Sequence, residues 1–80
     1  MRAEELLELL RARPFSPLRI TMTDGVTYDI KHPDNVIVLR QRVDIGLSPD
    51  PVSGVVERVA HCSLLHIVRV ETVPSQAVES

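Results

Sequence analysis

Two runs of strict alternation on either side of an Asp-Gly pair constrain this chain more than any other feature. Leu18, Ile20 and Met22 alternate with Arg19, Thr21 and Thr23, while Val26, Tyr28 and Ile30 alternate with Thr27, Asp29 and Lys31. A period of two places each apolar set on one face of a strand. Asp24-Gly25 suits a two-residue hairpin turn, but that register sets Met22 opposite Thr27 and apolar residues against polar ones throughout. A three-residue loop, Thr23-Asp24-Gly25, opposes Met22 with Val26, Ile20 with Tyr28 and Leu18 with Ile30. It also gives Gly25 the left-handed position such loops require and sets Arg19 across from Asp29 on the outer surface. A hairpin with one apolar face is expected.

The rest of the chain extends this pattern. Met1 to Ala12 predicts a short amphipathic helix, with Ala3, Leu6, Leu7 and Leu10 on one face and Leu9 widening it. Glu4 and Glu5 at its start and Arg11 and Arg13 at its end suit the helix dipole, and Pro14 stops it. So short a helix is marginal alone, so its leucines must dock, either capping the β-structure or entering a partner's groove. Phe15, in the extended Pro14-Phe15-Ser16-Pro17 connector, is the expected anchor into the core. His32 to Asn35 reads as a turn. Val36 to Leu47 reads as one long bent strand or two short ones, with Val36 to Leu39 buried on both sides or crossing a bend. Ser48 to Gly54 is the longest loop. Val55 to Cys62 is a further strand whose facing stays open: Val55 and Val59 lie on one side, Val56, Ala60 and Cys62 on the other. After a tight turn at Ser63-Leu64-Leu65, His66 to Val73 is the last strand, with Val68 and Val70 inward.

These elements predict a mainly β fold: an N-terminal α-helix followed by a five-stranded, strongly bent antiparallel sheet or small barrel. One domain spans 1–73, and 74–80 is expected to be a disordered tail. A valine-rich chain with only Phe15 and Tyr28 as aromatics favours strands. Eighty residues bury a small core, which makes help from a second subunit a natural expectation.

Composition narrows the function classes. A net charge of −2 supplies no basic surplus for DNA, RNA or an anionic membrane surface. Cys62 is the single cysteine, which fits a reducing compartment. No run approaches the roughly 20 apolar residues of a membrane span, and the N-terminus alternates charge with leucine, unlike a signal peptide. A cytoplasmic location is expected.

His32, His61, His66 and Cys62 are the residues that raise the question of a transition metal. His61 and Cys62 are adjacent on a strand and point to opposite faces, and no second close-spaced pair matches them. Ser63 near His61 and His66 lacks the surroundings of a nucleophile elbow, and three glycines build no phosphate-cradling loop. No catalytic, cofactor-binding or metal residues are therefore assigned, and no cofactor is expected. Arg40 and Arg42, aided by Gln41, form the densest basic point. They read either as charge protecting a solvated edge or as a nucleic-acid contact.

Pro14-Phe15-Ser16-Pro17-Leu18-Arg19-Ile20, Asp24-Gly25, Tyr28-Asp29-Ile30, His32-Pro33 and Leu64-Leu65-His66-Ile67 together resemble a family of short uncharacterised bacterial proteins. That resemblance spans Ala3 to Glu71 and implies no activity. The order of elements is more distantly similar to the Sm-like small β-barrel fold. This resemblance implies protomers joined through edge strands into rings, with loops that bind uridine-rich RNA. The corresponding loops here, His32 to Asn35 and Ser63 to His66, carry neither the stacking aromatic nor the basic or arginine-glycine signature. A non-catalytic module that self-associates through an edge strand or its helix is the expected function. An RNA-binding Sm-like ring is the alternative, and a metal- or small-ligand-dependent enzyme a minor one.

Overall fold

The opening hairpin closes through the three-residue loop. Strand β1 (Leu18–Met22) pairs antiparallel with β2 (Thr27–Ile30), matching Leu18 with Ile30, Arg19 with Asp29 and Ile20 with Tyr28. The Met22 N–H donates to the Val26 carbonyl at 2.9 Å, and the Gly25 N–H donates to the Met22 carbonyl at 2.9 Å. Gly25 has φ +89°, the left-handed geometry that costs a residue with a Cβ about 1–2 kcal/mol. The Asp24 carboxylate accepts from the Val26 N–H at 3.0 Å and fixes the turn. Val26 itself sits beyond the ladder and is 44% exposed, so the apolar face of this strand begins at Tyr28.

The computed structural model describes Met1–Val73, and the predicted tail at 74–80 lies outside the described residues. Helix α1 (Ala3–Arg11) is one residue or two shorter at each end than its pattern suggests. Its start is held by the Glu5 carboxylate, which accepts from the Arg2 N–H at 3.0 Å. Its end is held by the Arg13 guanidinium, which donates to the Leu10 and Ala12 carbonyls at 3.2 and 2.8 Å. Leu6 and Leu10 are buried in the core with Ala3 and Leu9 packed beside them. The leucine face therefore docks on its own chain.

Among the described residues six strands form instead of five. The Val36–Leu47 section folds into two short strands, β3 (Val36–Val38) and β4 (Arg42–Leu47), paired antiparallel with Val36 opposite Ile45 and Val38 opposite Val43. A tight turn at Arg40-Gln41 reverses the chain, closed by the Leu39 N–H donating to the Arg42 carbonyl at 2.8 Å. Alternation follows: Val36 and Val38 turn toward the core, while Ile37 is 64% exposed, so the run is not buried on both sides. Strand β5 (Arg58–Ser63) pairs with β4 over six consecutive positions, and β6 (Ile67–Thr72) pairs with β1. Short 3₁₀ turns at Pro33–Asn35 and Leu64–His66 precede β3 and β6.

Strand order is β2-β1-β6 in one sheet and β3-β4-β5 in the other. Among the described residues no ladder joins them, so these are two open three-stranded sheets and not a closed barrel. Their apolar faces share one core with α1: Leu6, Leu10, Leu18, Ile20, Ile30, Val43, Ile45, Cys62 and Leu64 are buried. Fully burying each such large side chain contributes roughly 1.5–3 kcal/mol.

Two facings come from tertiary structure. On β5, which begins at Arg58 and not at Val55, Ala60 and Cys62 face the core and Val59 faces out. On β6, Val68 is 62% exposed, against the expectation that it points inward. A bulge explains it: Met22 pairs with Ile67 while Thr21 pairs with Arg69, leaving Val68 as the extra residue. One inserted residue shifts the alternation, so Ile67 and Val70 share the core face.

Candidate functional site

Arg40 and Gln41 occupy the turn between β3 and β4, and Arg42 opens β4. The structure brings carboxylates to both guanidiniums. Arg40 Nη1 donates to Glu4 Oε2 at 3.4 Å, and Arg42 Nε donates to Asp44 Oδ1 at 3.0 Å. The Gln41 carbonyl accepts from the Leu64 N–H at 3.0 Å. The basic point is thus locally neutralised, and Gln41 helps anchor the turn before β6.

Asp44 also receives His61. Its Oδ1 lies 2.7 Å from His61 Nδ1, because Asp44 on β4 is directly opposite His61 on β5. The hydrogen bond from His61, followed by that from Arg42, holds the Asp44 carboxyl below its ordinary value of 3.8. An ionised carboxylate only accepts, so Nδ1 carries the hydrogen and Nε2 is left for solvent or a ligand. The Arg42–Asp44–His61 network lies on the outer face of the β3-β4-β5 sheet. Ile37 flanks it on β3, and Val59, 51% exposed, precedes His61 on the same face of β5.

Cys62 points the other way, into the core, where burial pushes its thiol above the ordinary value of 9.0. A thiol so placed is a poor nucleophile and a poor metal ligand. Ser63 Oγ accepts from the Leu65 N–H at 3.3 Å and shapes the turn. His32 precedes the Pro33–Asn35 turn and His66 closes the Leu64–His66 turn, so neither joins His61. Among the described residues no three His, Cys, Asp or Glu side chains converge as a metal site.

A depression of about 800 Å³ opens between the end of β2 and the loop after β4, lined by Lys31, His32, Asp34 and Asp50 among others. Its carboxylates are partly committed: Asp50 accepts from the Val52 and Ser53 N–H groups at 2.8 and 3.0 Å. Those contacts hold the Asp50 carboxyl below its ordinary value of 3.8. Its lining also includes Gly46, where a Cβ would stand 3.0 Å from a Val56 methyl and 3.3 Å from the Asn35 carbonyl oxygen. The space over Gly46 is thus already filled by Val56.

The remaining candidate is an edge. Among the described residues, strand β5 is hydrogen-bonded to β4 alone, with six positions in unbroken register and neither a bulge nor a proline. The corresponding edge strand of the other sheet, β6, carries the bulge at Val68 and an ion pair between Arg69 and Glu71 at 3.3 Å. Bulges and charge blunt edges against pairing. Sequence reading missed both the β5 edge and the Asp44–His61 pair. Alternation on β5 was visible, but nothing in the sequence sets its register against β4 across the loop. Among the described residues no helix is long and apolar enough to cross a membrane. No family model matches the chain, and no curated protein or solved structure proved similar to it.

Proposed function

We propose that this protein is a non-catalytic interaction module of the cytoplasm that associates with further copies of itself through an edge strand. The observation that carries this reading is β5: six residues, half-exposed Val59 among them, paired regularly on one side and, among the described residues, unpaired on the other. An unprotected edge is a template for another strand. The helix is the weaker route, since Leu6 and Leu10 are already buried in the chain's own core. We read the order of helix, hairpin, middle strands, long loop and two final strands as Sm-like, and the chain as akin to the short bacterial proteins it resembles. A single cysteine, Cys62, fits a reducing compartment.

Self-association is favoured over RNA binding because Arg40 and Arg42 each face a carboxylate, which removes the local positive surplus that phosphate contacts need. Solution mass across a concentration series tests the proposal. A mass that rises with concentration to a multiple of the 8.9 kDa chain supports it, and 8.9 kDa throughout overturns it. Titration of labelled uridine- or adenine-rich RNA at low salt tests the alternative. Tight binding that disappears in the Arg40→Ala/Arg42→Ala double variant would replace the proposal with that alternative.

A further inference from the structure

The backbone hydrogen bonds reveal which groups of β5 are free. The Leu64 N–H donates to the Gln41 carbonyl, so Leu64 turns its backbone toward β4. Backbone direction alternates along a strand; Cys62, Ala60 and Arg58 therefore also face β4, and Ser63, His61 and Val59 face the open edge. The neighbouring ladder agrees: Leu39 bonds to Arg42, which turns Arg42 and Asp44 toward β3 and leaves Val43, Ile45 and Leu47 for β5. By this alternation the N–H and C=O groups of Val59, His61 and Ser63 point away from β4, and among the described residues no other strand pairs with β5.

From this geometry, resting on the reading that the chain self-associates, we infer a two-fold pairing of β5 with the β5 of a second copy, antiparallel and centred on His61. Val59 then lies opposite the partner's Ser63, and His61 opposite the partner's His61. All three outward residues of both strands are satisfied, and the core-facing row stays apolar because Ala60 meets the partner's Cys62. Other edges satisfy less. The Val73 N–H donates to the Pro17 carbonyl, so Val73, Glu71 and Arg69 face β1. That leaves only Val70 and Thr72 outward in the regular part of β6. Edge strands β2 and β3 likewise offer two outward residues each, by the same alternation.

The test is site-directed cross-linking of the full chain in a Cys62→Ala background, with circular dichroism to confirm folding. Directly opposed residues in a hydrogen-bonded pair lie about 5.5 Å apart between Cα atoms, within disulfide reach. His61→Cys is expected to oxidise to a covalent dimer and Val59→Cys to remain uncross-linked, since Val59 opposes Ser63. A wild-type dimer in which His61→Cys does not cross-link, or cross-links no better than Val59→Cys, overturns this register but not self-association. A wild-type protein that is monomeric at every concentration overturns both.

Discussion

The two three-stranded sheets share one core yet treat their outer edges differently. In the β2-β1-β6 sheet, the exposed Val68 falls on a bulge, Arg69 pairs with Glu71, and Arg19 binds Asp29 at 2.8 Å on the outer face. In the β3-β4-β5 sheet, the edge strand is regular, Val59 and Ile37 are exposed, and the polar network sits in the interior of the sheet face. Of the edge strands β6 and β5, one is blunted and the other straight; under the proposed self-association this contrast would direct pairing to β5.

The largest effects should show the sheets to be equal inside. Ile20→Ala on β1 and Ile45→Ala on β4 remove nearly inaccessible side chains, and each is expected to lower stability by about 2–5 kcal/mol. Urea unfolding followed by two optical probes checks this, and separate transitions for the two sheets would show that they do not share a cooperative core.

Next come the glycines. Gly46→Ala drives a methyl against Val56 and the Asn35 carbonyl, an overpacking expected to cost about 1–3 kcal/mol. Gly25→Ala meets no neighbouring atom but is forced to φ +89°, for about 1–2 kcal/mol. If Gly46→Ala proves neutral, the loop before β5 yields freely and Val56 does not brace the sheet.

Val59→Lys on β5 should reduce the assembly to monomers with folding stability changed by no more than about 0.5 kcal/mol. Val68→Lys on the bulged β6 should leave the solution mass unchanged. Equal effects on mass would erase the proposed asymmetry.

The smallest effect concerns acid. The hydrogen bond from Arg19 holds the Asp29 carboxyl below 3.8, as His61 does for Asp44. A lowered folded value means stability that is present above about pH 3.8 and lost as pH falls through the folded value. Asp29→Asn and Asp44→Asn should therefore each flatten the decline in melting temperature below that pH. Unchanged acid profiles would show that these exposed pairs contribute nothing measurable.

At the Asp24-Gly25 turn, where turn residues and matching apolar faces agree, the sequence was reliable; the tight turn at Arg40-Gln41, with no turn residue to mark it, was not legible. The register of β1 on β2 follows from the three-residue loop and from matching apolar faces, and Arg19 meets Asp29 as that register requires. The helix, its leucine face and its stop before Pro14 are equally legible, because both the period and the breaker are local. The Asp44–His61 pair was not legible. These residues are joined by a long loop, and loop length sets register only for tight turns. Val68 was misassigned because a bulge is a two-strand property: β6 alone reads as continuous alternation, and only its pairing with β1 shows the extra residue.

Alone, then, the eighty residues determine a helix with one leucine stripe, a hairpin in one register, and a set of valine-rich strands that must hide one face, since side-chain period and turn chemistry are properties of neighbours along the chain. Tertiary structure decided that the middle section folds into a hairpin, that the strands divide into two open sheets, that Asp44 captures His61, and that β5 is left, among the described residues, with a bare edge. Those outcomes depend on which strands lie side by side, and long-range pairing is selected by burying all the apolar faces at once in one small core.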